Sequence, residues 1–173
     1  MLITELDLKQ KIRFLARQIY LDYKDEEELY FIYILDGAFI FAADLARELF
    51  RLGLPLIIGT IMIKTYNGIN PEKNPIIRPS FNFSIKDKNV LIIEDILDTG
   101  NTINILNKSI RFQKPKSVNY CCLLKKNHDR CILKENISIK YIGFNIQDVF
   151  VIGYGLDMSG HYRELASIWE YHG

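Results

Sequence analysis

An α/β fold with a mainly parallel central sheet is predicted by three observations. Apolar runs rich in β-branched and aromatic residues recur at 29–35, 56–63, 89–94 and 117–124. Helically spaced apolar residues lie between them. The residues that end the runs, Asp36-Gly37, Glu94-Asp95 and Lys125-Lys126, are polar and charged, as strand ends facing a ligand crevice are in such sheets.

The elements follow in order. Leu8, Ile12, Leu15 and Ile19 share one helical face, so the chain opens with a helix. The charged run "KDEEE" is a solvated break, and "LYFIYIL" after it is continuous and apolar, as a buried parallel strand is. Asp36-Gly37 signals a turn. A second helix presents Ala38, Ala42, Leu45 and Leu49, and Gly53 and Pro55 close it. "LIIGTIMI" is a second strand. From Tyr66 to about Ser84 periodicity fades and Asn, Gly and Pro accumulate, which predicts a long loop of the kind that closes over active sites. "NVLIIE" is a third strand, and Thr102 to Phe112 a helix with Ile103, Leu106 and Ile110 inward. "SVNYCCLL", "KYIGF" and "FVIGYG" complete the strands.

A chain of 173 residues is expected to form one domain, spanning 1–173. Its 22 Lys plus Arg against 21 Asp plus Glu give a net charge of +1, which supplies no global attraction for nucleic acid or membranes. The longest apolar stretch, "LPLIIGTIMI", falls short of the roughly 18 residues a membrane span needs. The N-terminus carries acids early and does not read as a secretory signal. Cys121, Cys122 and Cys131 have no CxxC spacing, and His128, His161 and His172 are scattered, which argues against zinc or a disulfide framework. Reduced thiols and a cytoplasmic setting are expected.

The stretch "LIIEDILDTGNTI" carries the chemistry. Thr99, Gly100, Asn101 and Thr102 separate a strand from a helix N-terminus. There, unpaired backbone N–H groups and the helix dipole suit a phosphate. Such turns are common, and a helix merely capped by Thr99 or Asn101 would look the same. Glu94 and Asp95 alter that balance, because acids crowded beside an anion site repel unless hydroxyl donors or a cation arrive with the ligand. A ribose phosphate with Mg²⁺ brings all three.

These residues resemble the signature of type I phosphoribosyltransferases: a hydrophobic strand, two acids, two hydrophobic residues, then Asp-Thr-Gly-x-Thr. "FVIGYGLD", "HYREL", "LLKK", "ILDGAFIFAADL" and "KTYNG" are similar, in the right order over about residues 30–170, to segments of the hypoxanthine-guanine phosphoribosyltransferases. The resemblance implies a central parallel sheet flanked by helices, a flexible active-site loop at about 65–84 and a small purine-binding hood at about 143–173. It implies transfer of the phosphoribosyl group of 5-phosphoribosyl 1-pyrophosphate to hypoxanthine or guanine, with Mg²⁺, giving IMP or GMP and pyrophosphate. It also implies a homodimer or homotetramer.

By the same resemblance, Asp98, Thr99, Gly100, Asn101 and Thr102 form the 5′-phosphate loop, and Asp98 is the general base. Glu94 and Asp95 face the ribose hydroxyls and the metal, with Asp157 at a second metal site beside the purine. Lys125 approaches the purine 6-oxo group, Phe150 stacks on the base and the Val151 backbone reads its edge. Arg163 and the backbone of Asp36-Gly37 contact pyrophosphate; Thr65 and Tyr66 begin the closing loop. Two positions depart from the family pattern. Asp36 stands where many relatives have lysine, and Val149 where a charged residue is usual. Asp36 is expected to turn its side chain away and serve through its backbone, in a segment whose Asp36-Gly37 peptide could be cis.

Two rival readings exist for these motifs. "DTG" also forms the core of aspartic proteases, but Glu94 and Asp95 before it and Asn101 after it do not suit that site. A nucleotide-sensing regulator of RNA or DNA on the same fold would be expected to show a steep salt dependence for nucleic acid. The retained Asp98 and balanced charge favour the enzyme.

Overall fold

The computed structural model describes residues 1–67, 70–134 and 137–172, and the backbone alone at 64–67 and 70–76. The elements are α1 (Glu5–Tyr23), β1 (Leu29–Leu35), α2 (Phe39–Arg51), β2 (Leu56–Asn67), β3 (Asn70–Ser80), β4 (Asn89–Leu97), α3 (Asn101–Phe112), β5 (Ser117–Lys126), β6 (Ile139–Ile146), β7 (Val151–Ile152) and β8 (Trp169–Glu170). The main sheet has the order β3-β2-β1-β4-β5-β6. All its pairings are parallel except β2 with β3.

The helices form where their stripes demand. α1 begins with a capping box between Thr4 and Asp7 and buries Leu8, Ile12, Leu15 and Ile19. α2 buries Ala42, Leu45 and Leu49, and α3 buries Ile103, Leu106 and Ile110. α1 and α2 pack with Phe31, Leu91 and Ile93 on one face of the sheet. α3 packs with Ile32, Val90 and Ile92 on the other. The alternation of Val90, Leu91, Ile92 and Ile93 between the two cores is the period of a strand covered on both sides. Cys121 and Cys122 are buried free thiols within β5, as anticipated for a buried strand.

The 66–84 stretch is not the irregular loop its composition predicts. β2 continues to Asn67 and returns antiparallel as β3, with a register shift between Lys64 and Tyr66. Asn, Gly and Pro lowered the strand signal, but an edge strand pairs on one side only and tolerates Pro71, Pro75 and Pro79. The backbone of Thr65 and Tyr66 lies in β2, while their side chains fall outside the described residues. Near the C-terminus, β7 and β8 form a separate two-stranded sheet, and Ile3 bridges to Ile168. Residues 143–146 belong to β6 of the main sheet, so the small sheet starts after them.

This connectivity has a functional consequence. From β1 the chain moves outward to β2 on one side, and β4 then pairs with β1 on the other. The crevice at such a reversal, beyond the carboxyl ends of the strands, is where doubly wound sheets bind ligands.

Candidate active site

A cavity of about 380 Å³ opens at that reversal. Its lining includes Asp36 and Gly37 after β1, Glu94, Asp95 and Asp98 from the end of β4, Thr102 of α3, Lys126 of β5, and Phe150, Val151, Asp157 and Arg163 from the C-terminal region. A second cavity of about 260 Å³ lies over residues 94–103 and shares Glu94, Asp95, Asp98 and Thr102 with the first. A larger cavity, about 620 Å³, lies elsewhere, between α1 and α2. Its charges largely satisfy one another, through Arg13–Glu48, Arg47–Asp44 and Arg51–Glu48.

The turn after β4 is built for an anion. Gly100 is the N-cap of α3, with φ 80°, and no side chain caps the helix. The Asn101 N–H alone meets a side chain, donating to Thr99 Oγ1 at a long 3.4 Å, and the N-cap residue supplies no capping side chain to the first turn. The turn is held from outside. Asn104 bonds the Ile132 carbonyl through its Nδ2 at 2.7 Å and accepts from the Lys134 N–H at 2.8 Å. The Ile132 N–H donates to the Thr99 carbonyl at 3.1 Å.

Glu94 and Asp95 belong to opposite faces of β4, yet at the strand end both line the cavities. Glu94 is buried, and burial, reinforced by the neighbouring Asp95 charge, pushes its carboxyl well above the usual range. Burial raises Asp95 as well, against the Ile96 N–H that donates to its Oδ1 at 2.7 Å and the positive charge of Arg163. The Glu94 Oε2 atom is buried without a hydrogen-bond partner. An orphaned carboxylate oxygen in an all-oxygen donor set fits a hard cation. Among the described residues no group of three His, Cys, Asp or Glu converges on one point. A hard cation such as Mg²⁺ is commonly held by one or two carboxylates with substrate oxygens completing its shell.

Gly37 is required by this crowding, since a Cβ there would overlap the Asp95 Oδ2 atom. Gly155, at φ 102°, has no room for a Cβ either, because the Gly37 carbonyl fills that space. The C-terminal region thus lies directly on the end of β1. Arg163 ties the two together: it donates to the Gly155 carbonyl at 2.6 Å and approaches Asp157 Oδ1 at 3.0 Å and Asp36 Oδ2 at 3.9 Å. Asp157 also accepts from the Gly160 N–H at 2.6 Å. The Asp36 side chain, 65% exposed, therefore faces a guanidinium across the cavity rim instead of simply turning away. The cis peptide of this segment is Leu35–Asp36, one bond before the one considered from sequence.

Lys125 requires a correction. Lys126, not Lys125, lines the cavity, and its Nζ lies 3.1 Å from Asp98 Oδ2 and 3.5 Å from Asp148 Oδ1. Successive strand residues point to opposite faces, so only one of two adjacent lysines can enter the site, and the sequence pair does not say which. His128 was also missed: its Nε2 lies 2.8 Å from Asp98 Oδ1. Burial alone would raise the Asp98 carboxyl, but Lys126 and His128 outweigh it and hold it below its ordinary value. Phe150 is 51% exposed, its ring edge-on to Tyr171 with centroids 6.0 Å apart, so it is a platform at the rim and not part of the core.

The arrangement can hold a phosphate at α3, a polyol and cation at β4, and a flat heterocycle between Phe150 and the Asp98–Lys126 pair. Comparison with known proteins identifies the family. Residues 3–159 match the family model described as a phosphoribosyl transferase domain. The hypoxanthine-guanine phosphoribosyltransferase of Dictyostelium discoideum is 37% identical over 171 residues, covering 98% of this chain and 93% of that protein. The hypoxanthine phosphoribosyltransferase of Escherichia coli is 35% identical over 169 residues, covering 96% and 92%. The structure of hypoxanthine phosphoribosyltransferase from Trypanosoma cruzi in complex with the product IMP superposes with a TM-score of 0.86 at 34% identity, covering 98% of this chain and 92% of that one. This chain belongs to the phosphoribosyltransferase family, among the relatives named hypoxanthine and hypoxanthine-guanine phosphoribosyltransferases.

Proposed function

We propose that this protein transfers the 5-phosphoribosyl group of 5-phosphoribosyl 1-pyrophosphate to N9 of hypoxanthine or guanine, releasing IMP or GMP and pyrophosphate. The observation that carries this is the convergence of the Asp98–Lys126 pair, the exposed face of Phe150 and the uncapped N-terminus of α3 on one crevice.

Each residue then has a task. The N–H groups at 99–102 and the threonine hydroxyls take the 5′-phosphate. Glu94 and Asp95 accept from the ribose hydroxyls and set negative charge beneath the ring, where positive charge develops as the bond from C1 to pyrophosphate breaks. Phe150 stacks on the purine beside the Val151 backbone. Lys126 takes the role first given to Lys125 and donates to the 6-oxo group. Adenine would present its own donor there, which favours 6-oxopurines. As N9 attacks C1, the N7 proton passes to Asp98 and the electron pair of the broken bond leaves with pyrophosphate. General-base help of this kind is worth about 10²–10⁴-fold.

Arg163 and the Asp36-Gly37 backbone face the pyrophosphate side. Thr65 and Tyr66 begin a ribbon that would shield the reaction from water. Mg²⁺, held by Glu94, Asp95 or Asp157 together with substrate oxygens, would neutralise charge on the departing pyrophosphate.

No described helix is long and apolar enough to cross a membrane. A cytoplasmic setting fits the buried free thiols. A homodimer or homotetramer is supported by Phe39 and Phe50, exposed on one face of α2 about three turns apart. Sedimentation of the purified chain distinguishes these from a monomer.

The decisive assay supplies 5-phosphoribosyl 1-pyrophosphate and Mg²⁺ with hypoxanthine, guanine, xanthine or adenine, and measures nucleotide and pyrophosphate. Hypoxanthine or guanine should be converted, adenine should not, and a chelator should abolish turnover until Mg²⁺ is restored. Failure of every 6-oxopurine would sink the reading.

A further inference from the structure

His128 lies two residues beyond β5, its side chain only 10% exposed, and it is outside the lining of the cavity. Its two ring nitrogens have different partners. Nδ1 accepts from the Arg130 backbone N–H at 3.2 Å, while Nε2 faces Asp98 Oδ1 at 2.8 Å. The first contact determines the second. A backbone N–H only donates, so Nδ1 must keep its lone pair, and the proton of the neutral ring then sits on Nε2. Nε2–H donates to Asp98 Oδ1.

The other Asp98 oxygen belongs to the cavity. Lys126 Nζ reaches Oδ2 at 3.1 Å from within the lining. The carboxylate is thus gripped on one oxygen by a group outside the cavity and on the other by a group inside it.

We propose that His128 is the positioning residue of the general base: its Nε2–H holds Asp98 Oδ1 so that Oδ2 is the oxygen presented to the purine. This rests on the phosphoribosyl-transfer reading and on Asp98 as its base. Lys126, in the lining, can turn to the 6-oxo group when a purine enters, whereas His128, outside the lining, meets no purine atom and stays on Oδ1, its nearest carboxylate oxygen at 2.8 Å against 4.0 Å for Asp148. The N7 proton then moves to Oδ2 as the N9–C1 bond forms and the C1–O bond to pyrophosphate breaks. His128 neither gives nor takes a proton in this step. Nε2 already carries one, and Nδ1 is filled by the Arg130 N–H.

The surroundings of Asp98 fit this division. Lys126 and His128 face it after β5, and Cys131 lies within its electrostatic reach. Asp148, before β7, stands 3.5 Å from Lys126 and 4.0 Å from His128, and Arg130 neutralises it at 2.6 Å. Lys126 and His128 hold the Asp98 carboxyl below its ordinary value against its burial, so removing the imidazole donor should let it rise.

The test uses the full chain with hypoxanthine, 5-phosphoribosyl 1-pyrophosphate and Mg²⁺, recording kcat against pH for wild type, His128→Ala, His128→Gln and Asp98→Asn. His128→Ala should lose roughly 10–10²-fold in kcat, the scale of a misplaced reacting group. Its KM for 5-phosphoribosyl 1-pyrophosphate should stay near wild type, and its acidic limb should move to higher pH. His128→Gln, which keeps a side-chain N–H donor, should recover part of both. A proton-relay role predicts instead that Gln is as impaired as Ala, and that result overturns the proposal. So does an Ala variant with wild-type kcat and an unmoved acidic limb. An Asp98→Asn variant with normal turnover removes the base and this proposal with it. Wild type that converts no 6-oxopurine overturns the underlying reading. A measurement that needs no turnover keeps the two apart: imidazole ¹⁵N shifts of wild type, assigned against His128→Gln, should show a proton on Nε2 and Nδ1 as the acceptor for His128. The Nδ1–H tautomer would refute the proposed geometry directly.

Discussion

Asp98 and Lys126 form the pair on which residue-scale behaviour turns. Asp98→Asn keeps the shape of the side chain and removes its basicity. It should lower kcat by about 10²–10⁴-fold while 5-phosphoribosyl 1-pyrophosphate still binds, as calorimetry would show. Lys126→Ala should raise KM for hypoxanthine at least 10-fold, since a charge-assisted hydrogen bond is worth about 1.5–3 kcal/mol. Lys125→Ala should stay close to wild type in the same assay, because Lys125 is not part of the cavity lining. Equal damage from the two substitutions would reverse the correction. No feature of "LLKK" distinguishes the lysines, because a one-residue slip in a strand exchanges its faces. His128 was still less legible. It reaches Asp98 across 30 positions of sequence, and a lone histidine in a polar stretch carries no periodic signal.

At the scale of elements, the turn into α3 is the part most fully written in the sequence. Gly100 must adopt φ 80°, and a Cβ there would meet the Leu133 Cδ2 atom at 2.9 Å. Gly100→Ala should cost about 1–2 kcal/mol from the left-handed backbone alone. For a chain of this size that is a fall in Tm of roughly 2–8 °C by calorimetry. KM for 5-phosphoribosyl 1-pyrophosphate should rise with it, because the N–H groups of the turn would shift. Helix stripes and buried strands were equally legible, since burial on one face imposes a period that the chain must carry. The β2–β3 ribbon was not. Its pairing is an edge interaction that prolines weaken but do not forbid, and composition alone reads as loop.

On the scale of the molecule, the site exists only because distant segments meet. The C-terminal region is seated on β1 by the Gly155–Gly37 contact and by Arg163. It is also joined to α2 by the Tyr154 hydroxyl, which donates to Asp44 Oδ2 at 2.6 Å. Burial and that hydrogen bond both raise the Tyr154 phenol, so it stays a donor throughout the working pH range. Tyr154→Phe should cost about 0.5–1.5 kcal/mol in urea unfolding. It should also loosen the purine side of the site, raising KM for hypoxanthine more than KM for 5-phosphoribosyl 1-pyrophosphate. An equal change in both would mean that the region does not move as a purine-binding unit.

What the sequence determined by itself was the periodic and the contiguous: the covered strands, the striped helices, and the acid-rich turn whose residues are neighbours along the chain. Those features are set by burial and by helix-terminus electrostatics, which need only a few consecutive residues. The tertiary structure decided which lysine enters the cavity, that His128 stands behind Asp98, and that Asp36 faces Arg163. These are matters of strand face and of loop contact across the fold. Their energies come from pairs far apart in the chain, and no local pattern encodes them.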